Sequence, residues 1–292
     1  MFNFFLRIHK YQTRNKMAIT AKDVNKLRQM TGAGMMDCKK ALVEADGDFD
    51  KAIEHLRKKG QKVSASRADR ETTEGVVITR TSDDNSKGVA IALTCETDFV
   101  AKNEDFVALA NQAADLAFEN SPADIDALKA LSVGEITLGE KIIEATGKIG
   151  EKIEIKVYAE LEGEAVVPYI HSNGKLAVMV ALKNVGGADV EAAGKDVAMQ
   201  IAAMNPVAVD KDGVDPSVVE KEIEIGKEQA RQEGKPEQIL EKIAQGKLQK
   251  FFKDNTLLSQ AFVKDSSMNI QQYLDSVSKG LTVSDFKRIS IG

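Results

Sequence analysis

The sequence predicts an α+β fold in three parts, and three observations indicate this class. Apolar residues recur at helical spacing in three short segments within residues 17–60. A pattern of two strands followed by a helix occurs in residues 75–160 and again from residue 161 onward. Two long amphipathic segments interrupt the second copy. The prediction is therefore an N-terminal three-helix bundle, a duplicated α/β core and an inserted antiparallel helical hairpin.

These patterns also predict the domain boundaries. They are an N-terminal extension at 1–16, the helical bundle at 17–60, a linker at 61–74, the first core subdomain at 75–160, the second at 161–213 and 252–292, and the hairpin at 214–251. The linker has one large apolar residue and many charged ones, which is typical of a solvated segment, and a partly helical linker stays open as an alternative. The extension is basic and has no acidic residue, so it is either a targeting segment or the result of an upstream start codon, with Met17 as the functional start.

In the bundle, residues that favour helix ends predict where the helices begin and end. Thr20 and Asp23 form a capping-box pattern at the start of the first helix. The second helix is predicted from about Met35, and Asp48 is placed to cap the third. Gly60 is predicted to close the third helix and the bundle.

In the core, each predicted hairpin has a short polar turn and a following helix. Predicted strands are residues 75–81, 89–95, 153–159, 165–171, 176–182 and 281–291, with helices after the second and fifth of them. The last strand is expected to return to the second sheet. Pro168 cannot donate a ladder hydrogen bond, so its strand is predicted at a sheet edge.

The inserted hairpin is predicted from residue 214 to residue 251. Pro216 suits the first turn of one helix, and residues 233–236 turn the chain into a second helix with apolar residues at helical spacing. Two interpretations stay open for this arm. It either folds flat on its own body or contacts another protein.

Composition argues against several functional classes. The net charge of −5 does not suit a protein that neutralises nucleic-acid phosphates, so no direct nucleic-acid partner is predicted. No apolar run reaches the roughly 18 residues of a membrane span, so no membrane contact is predicted. Cys38 and Cys95 are too few for a disulfide framework, and we expect buried thiols and a cytoplasmic location.

Motifs for covalent chemistry fail when their spacing is examined. The glycines before Lys195 are too far apart for a phosphate-binding loop, and Asp196 stands where Ser or Thr is required. Lys51 occupies the position where a calcium loop needs Gly. The three histidines are too dispersed for a triad or a metal site. No catalytic residue, no metal site and no cofactor is therefore predicted.

Two segments carry a specific resemblance. Residues 31–42 read TGAGMMDCKKAL, and residues 95–103 read CETDFVAKN. In sequence, order and spacing they resemble the elongation factor Ts family, and the resemblance extends from about Met17 to Ile291. It implies a UBA-like N-terminal bundle, and a helical arm that some members use to self-associate, so a homodimer through the arm is an expectation. The chain ends soon after its last strand, whereas some members add a helix, and we expect binding without that helix.

The second segment contains the main candidate site. Thr97 can cap a helix whose first turn holds Asp98, Phe99 and Val100. Considered without the family, Phe99 is most simply a core residue and Asp98 an acid that favours the helix dipole. The resemblance implies instead that the Asp-Phe pair enters the GTP-binding domain of elongation factor Tu, displaces its Mg²⁺ and disturbs its phosphate site, so that GDP is released. The expected partner is elongation factor Tu, both GDP-bound and nucleotide-free.

Weaker partner contacts are also implied by the resemblance. Met35 and Met36 would dock on the same domain of the partner, although core packing explains at least one of them. His171, Asn173 and Lys175, in the second hairpin's turn, would face another part of the partner. Two rival functions remain at this point, a protein-binding adaptor and an enzyme with an unrecognised site.

Overall fold

A computed structural model describes residues 19–292 of the protein. The predicted extension at residues 1–16 lies outside the described residues. The described chain forms two units. One contains the residues up to Asp69 together with Ile143–Glu151, and the other contains Arg70–Ile142 and Lys152–Gly292.

The first unit is built from short helices around a small core. Its helices are α1 (Ala21–Thr31), α2 (Met35–Glu44) and α3 (Phe49–Ser66). The predicted capping box is confirmed, because the Thr20 hydroxyl accepts from the Asp23 N–H at 3.2 Å and the Asp23 carboxylate accepts from the Thr20 N–H at 3.0 Å. The Asp48 cap of α3 is confirmed as well. The side chains of Leu27, Cys38 and Leu42 are fully buried between the helices.

The predicted end of the third helix at Gly60 is wrong. Helix α3 continues through this glycine to Ser66, so the first residues of the predicted linker are helical. Gly60 lies against Gly147, where a Cβ atom added to Gly147 would come within 2.5 Å of the Gly60 Cα. Glycine at this position therefore permits a close approach of two backbones and does not end the helix.

In the second unit, two three-stranded antiparallel sheets each have a helix packed on them. The elements of the first sheet and its helices are β1 (Glu74–Thr81), β2 (Lys87–Cys95), α4 (Asp98–Ala101), α5 (Glu104–Asn120), α6 (Ile125–Ala130), β3 (Ser132–Val133), β4 (Ile136–Thr137), α7 (Leu138–Ile149) and β5 (Glu154–Glu162). The strand order is β1-β2-β5, and α5 packs on β1 and β2. The last residues of α7 belong to the first unit.

The second sheet has the strand order β10-β7-β6. Its elements are β6 (Ala165–Ile170), β7 (Leu176–Lys183), α8 (Glu191–Met204) and β10 (Thr282–Ser290). Pro168 lies on the edge strand β6, as predicted. The predicted return of the final strand is confirmed by the pairing of β10 with β7. Helix α8 buries Val197 and Ile201 against this sheet.

The predicted helical hairpin forms from two antiparallel helices. They are α9 (Pro216–Gln232) and α10 (Glu237–Asn255), which pack on each other and bury Ala230, Leu240, Ala244 and Leu248. A small hairpin of β8 (Ala261–Phe262) and β9 (Asp265–Asn269) and helix α11 (Ile270–Val277) then lead to β10. The mixed α+β class with N-terminal helices and small antiparallel sheets is thus confirmed.

Candidate functional site

The tip turn, residues 97–102, follows directly from the central strand β2. The Thr97 hydroxyl accepts a hydrogen bond from the Val100 N–H at 3.4 Å, which confirms the predicted cap of α4. One turn later Asn103 caps α5, and its side chain accepts from the N–H groups of Asp105 at 2.9 Å and Phe106 at 3.3 Å. Two successive caps therefore fix the backbone of a helix that has only four residues.

Phe99 projects from this turn into solvent. Its side chain is 81% exposed, so the alternative that it is a core residue is wrong. The other side of the turn is anchored, because Ala101 is buried and the buried Cys95 thiol donates to the Thr97 carbonyl at 3.2 Å. Single exposed apolar residues are common on protein surfaces, so what distinguishes Phe99 is that an anchored turn holds its ring outward.

Asp98 lies beside the ring and carries a negative charge. The Lys102 ammonium donates to its carboxylate at 2.7 Å, one helical turn away. This hydrogen bond, followed by the positive charges of Lys102 and Lys175, lowers the pKa of the Asp98 carboxyl below its ordinary value. The carboxyl group is therefore ionised at neutral pH.

The second hairpin's turn, residues 171–175, lies beside the start of β1. The Val77 N–H on β1 donates to the Gly174 carbonyl at 2.9 Å, and the Lys175 ammonium pairs with the Glu74 carboxylate. His171 and Asn173 are exposed, and the Asn173 side chain accepts from the Lys175 N–H at 3.0 Å. The positive charge of Lys175 also contributes to the lowered pKa of the Asp98 carboxyl.

In the first unit, both candidate methionines are exposed at the start of α2. Met35 is 56% exposed and Met36 is 75% exposed. The expectation that core packing explains at least one of them is wrong, because Cys38, Ala41 and Leu42 fill the buried face of this helix. Two flexible, polarisable side chains are thus presented together on one unit's surface.

In the part of the chain that the structure describes, no group of three or more His, Cys, Asp or Glu side chains is arranged to hold a metal ion. Within residues 19–292, no helix combines the length and the apolar composition needed to cross a bilayer. Both cysteines are buried and unpaired with each other, as predicted.

Comparison with known proteins decides the family. A family model described as "Elongation factor TS" matches residues 96–292, which include both the tip turn and the second hairpin's turn. The chain belongs to the elongation factor Ts family.

Relatives of this family match nearly the whole sequence. The elongation factor Ts of Amoebophilus asiaticus is 58% identical over 276 residues, which cover 94% of this chain and 100% of the relative. The Cytophaga hutchinsonii protein is 62% identical over 274 residues, covering 94% and 99%. The Porphyromonas gingivalis protein is 47% identical over 276 residues, with the same coverage as the Cytophaga protein.

Family membership confirms the resemblance and brings the function with it. An elongation factor Ts is the nucleotide exchange factor for elongation factor Tu in translation elongation, and it acts in the cytoplasm. It makes and breaks no covalent bond, so the rival enzyme interpretation is set aside.

Sequence reasoning missed two charged residues of the site. Glu74 begins β1 and is paired in register with Cys95 at the end of β2. Lys102 holds the Asp98 carboxylate. The spacing of Asp98 and Lys102 at i and i+4 was a signal for the second of them. No local signal connects Glu74 with Lys175, because the two residues are far apart in the sequence, one at the start of β1 and the other in the turn before β7.

Proposed function

We propose that the tip turn is the part of this elongation factor Ts that promotes nucleotide release. Phe99 and Asp98 enter the GTP-binding domain of GDP-bound elongation factor Tu, displace its Mg²⁺ and disturb its phosphate site. The observation that carries this proposal is the 81% exposure of Phe99 beside an ionised carboxylate, on a turn fixed by two caps.

Each side chain has a distinct part in this proposal. Burying a phenylalanine ring in a partner's pocket is worth about 1.5–3 kcal/mol, which favours docking at this point. The Asp98 carboxylate brings a negative charge near a bound metal ion and the phosphates. A partner without Mg²⁺ has uncompensated phosphate charge, so GDP leaves more readily. Lys102 accompanies Asp98 on an exposed surface, where such ion pairs are weak and are readily exchanged.

The exchange then follows from thermodynamic linkage. A factor that prefers nucleotide-free elongation factor Tu must weaken GDP binding by the same ratio by which GDP weakens binding of the factor. The same relation lets incoming GTP displace the factor from the partner. No cofactor is required by this scheme.

The weaker candidate contacts belong to this proposal as well. The exposed Met35 and Met36 are proposed to dock on the partner, and their adaptable side chains suit an interface. His171 and Asn173 are proposed as contacts from the second hairpin's turn. Lys175 is less suited to a direct contact, because its ammonium is engaged with Glu74.

We also propose the finer organisation of the fold. The two sheets share one sequence of elements, a hairpin followed by a helix that packs on it, which supports a duplicated core. The three N-terminal helices are proposed to be a UBA-like module, and we propose the predicted domain boundaries with a helical start to the linker. Exposed Ile225 and Ile239 on α9 and α10 support self-association through the arm. Sedimentation of the whole protein, with and without Ile239→Glu, tests that association.

Release of fluorescent GDP from purified elongation factor Tu tests the proposed function. The whole protein should accelerate release strongly, and a variant with both Asp98→Ala and Phe99→Ala should not. Binding of the same variant to nucleotide-free elongation factor Tu and its melting temperature serve as controls. An active double variant with an intact fold would show that another surface performs the exchange.

A further inference from the structure

The second hairpin's turn is fixed in place by contacts on both sides of Lys175. On one side the Gly174 carbonyl accepts from the Val77 N–H of β1 at 2.9 Å. On the other the Lys175 carbonyl accepts from the Ile291 N–H, just after β10, also at 2.9 Å. The Lys175 backbone therefore has a defined position next to the first sheet, and its ammonium reaches Glu74 from there.

Glu74 lies at the root of the tip turn. It is the first residue of β1 and is opposite Cys95, the last residue of β2, two positions before the Thr97 cap. Helix α4 packs on β1 and β2. The Glu74 Oε2 atom is shielded from water, and the Lys175 ammonium lies against it. A shielded carboxylate that loses its counter-charge is left as an uncompensated charge, which destabilises the structure around it.

The negative charge of Glu74 also reaches the tip turn. It contributes to the raised pKa of Lys102, although the hydrogen bond from Lys102 to Asp98 is the first cause. Lys175 compensates this charge at the root of the turn, and without Lys175 the Glu74 carboxylate would add an unneutralised negative charge there. The side chains of Lys175 and Glu74 are only 32% and 24% exposed, so water screens this charge incompletely.

We propose that Glu74 and Lys175 are positioning residues that keep Asp98 and Phe99 in the orientation needed for exchange. This inference rests on the proposed function of the tip turn. Lys175 acts through Glu74 and not by touching elongation factor Tu. It neutralises Glu74 at the root of the tip turn, so that the short helix α4 keeps its place on the sheet.

The test uses Glu74→Gln, Lys175→Met and the exchanged pair Glu74→Lys with Lys175→Glu in the whole protein. GDP release from elongation factor Tu is measured over a range of factor concentrations, which separates the maximal rate from the affinity. Each single variant should lower the maximal rate by at least about tenfold, because a displacement of only ~1 Å of a working group can cost ~100-fold. The apparent affinity should change little, and the exchanged pair should recover most of the rate.

Glu160→Gln is the matched control. Glu160 pairs with Lys87 at 3.4 Å, and the two side chains are as shielded as the Glu74–Lys175 pair. Lys87 begins β2, so this pair lies about 26 Å from Cys95 at the usual strand rise. Glu160→Gln should leave the maximal rate unchanged, although it removes a comparable ion pair from the same sheet.

The outcomes separate this inference from the proposed function. Wild-type rates in both single variants, or no recovery in the exchanged pair, would overturn the positioning role. If Lys175→Met changes only the affinity while Glu74→Gln behaves as the wild type, Lys175 is a direct contact, which would also overturn the positioning role. Phe99→Ala is run in parallel. Full activity of Phe99→Ala would overturn the proposed function itself, whereas an inactive Phe99→Ala beside normal Glu74→Gln overturns only the inference.

Discussion

Two strand-to-helix junctions occupy corresponding places in the two sheets but are built differently. After β2, the central strand of the first sheet, the caps of Thr97 and Asn103 enclose the tip turn. After β7, the central strand of the second, residues 184–190 form a loop in which Asn184, Gly186 and Gly187 have φ of 61°, 60° and 80°. Helix α8 then begins without a side-chain cap.

The difference shows what the first junction is built to do. A loop of residues with positive φ joins a strand to a helix without presenting any particular side chain. A capped turn fixes its side chains relative to the sheet, and in this protein one of them is the exposed Phe99. The comparison therefore locates the proposed function in the first junction, and the following variants test that location.

The largest effect is expected from Phe99→Ala. If the ring enters a pocket of elongation factor Tu, its loss should slow GDP release by about 100-fold, in the range of interface hot spots. The melting temperature should stay the same, because the ring packs on little of its own protein. Val263→Ala is the control, since Val263 is also an exposed apolar side chain, near the β8–β9 turn. Equal rates in the two variants would contradict a special part for Phe99.

Asp98→Asn should slow release by about tenfold, because it removes the charge and keeps the shape. Lys102→Met keeps the Asp98 carboxylate and removes the ammonium group that pairs with it. GDP release with this variant should therefore be as fast as with the wild type or faster. If the two variants are equally slow, the ion pair and not the carboxylate charge is what exchange requires.

The lowered pKa of Asp98 sets the pH dependence of this contribution. A folded pKa below the ordinary value means that the ion pair stabilises the fold above that ordinary value and is lost as the pH falls through the lowered one. The wild-type to Asp98→Asn ratio of release rates should therefore be constant between about pH 6 and pH 8. A ratio that falls within this range would mean that Asp98 titrates near neutrality.

The sequence predicted local features such as helix caps better than contacts between elements that are far apart in the chain. Thr97, Asp48 and the Thr20–Asp23 box act on neighbouring residues, and short-range patterns identified all of these caps. Gly60 was misread as a helix end because its role depends on Gly147, on another element. The Glu74–Lys175 pair was missed for the same reason, since it forms only when two sheets come together.

The exposure of Phe99 could be predicted only in part. An aromatic residue in the first turn of a helix is compatible with either a core or a surface position, so its spacing alone favoured burial. The tip residues 97–100 were selected by resemblance to a family, and the fold then supplied the exposure and the second cap at Asn103. Long-range packing decides such cases, and a single sequence carries little of that information.

A smaller effect is expected from Thr97→Ala. Loss of an N-cap side chain costs about 0.5–2 kcal/mol, and here the cost falls on a helix of one turn. A frayed turn presents Phe99 in the working orientation less often, so release should slow by about threefold to tenfold. Thr97→Ser keeps the accepting oxygen and should retain most of the rate. A slow Thr97→Ser would point to the threonine methyl group and not to the cap.

The smallest effect on exchange is expected from Gly187→Ala in the second junction. Its φ of +80° is unfavourable for alanine, so the melting temperature should fall with a cost of about 1 kcal/mol, although no atom lies within 4 Å of the added methyl group. GDP release, measured below the melting transition, should equal that of the wild type, because this loop presents no side chain to the partner. Stability and exchange would then separate cleanly, with Gly187→Ala changing only stability and Phe99→Ala only exchange. Slower release by Gly187→Ala would show instead that both junctions contact elongation factor Tu, and that the capped turn differs from the loop in stiffness but not in function.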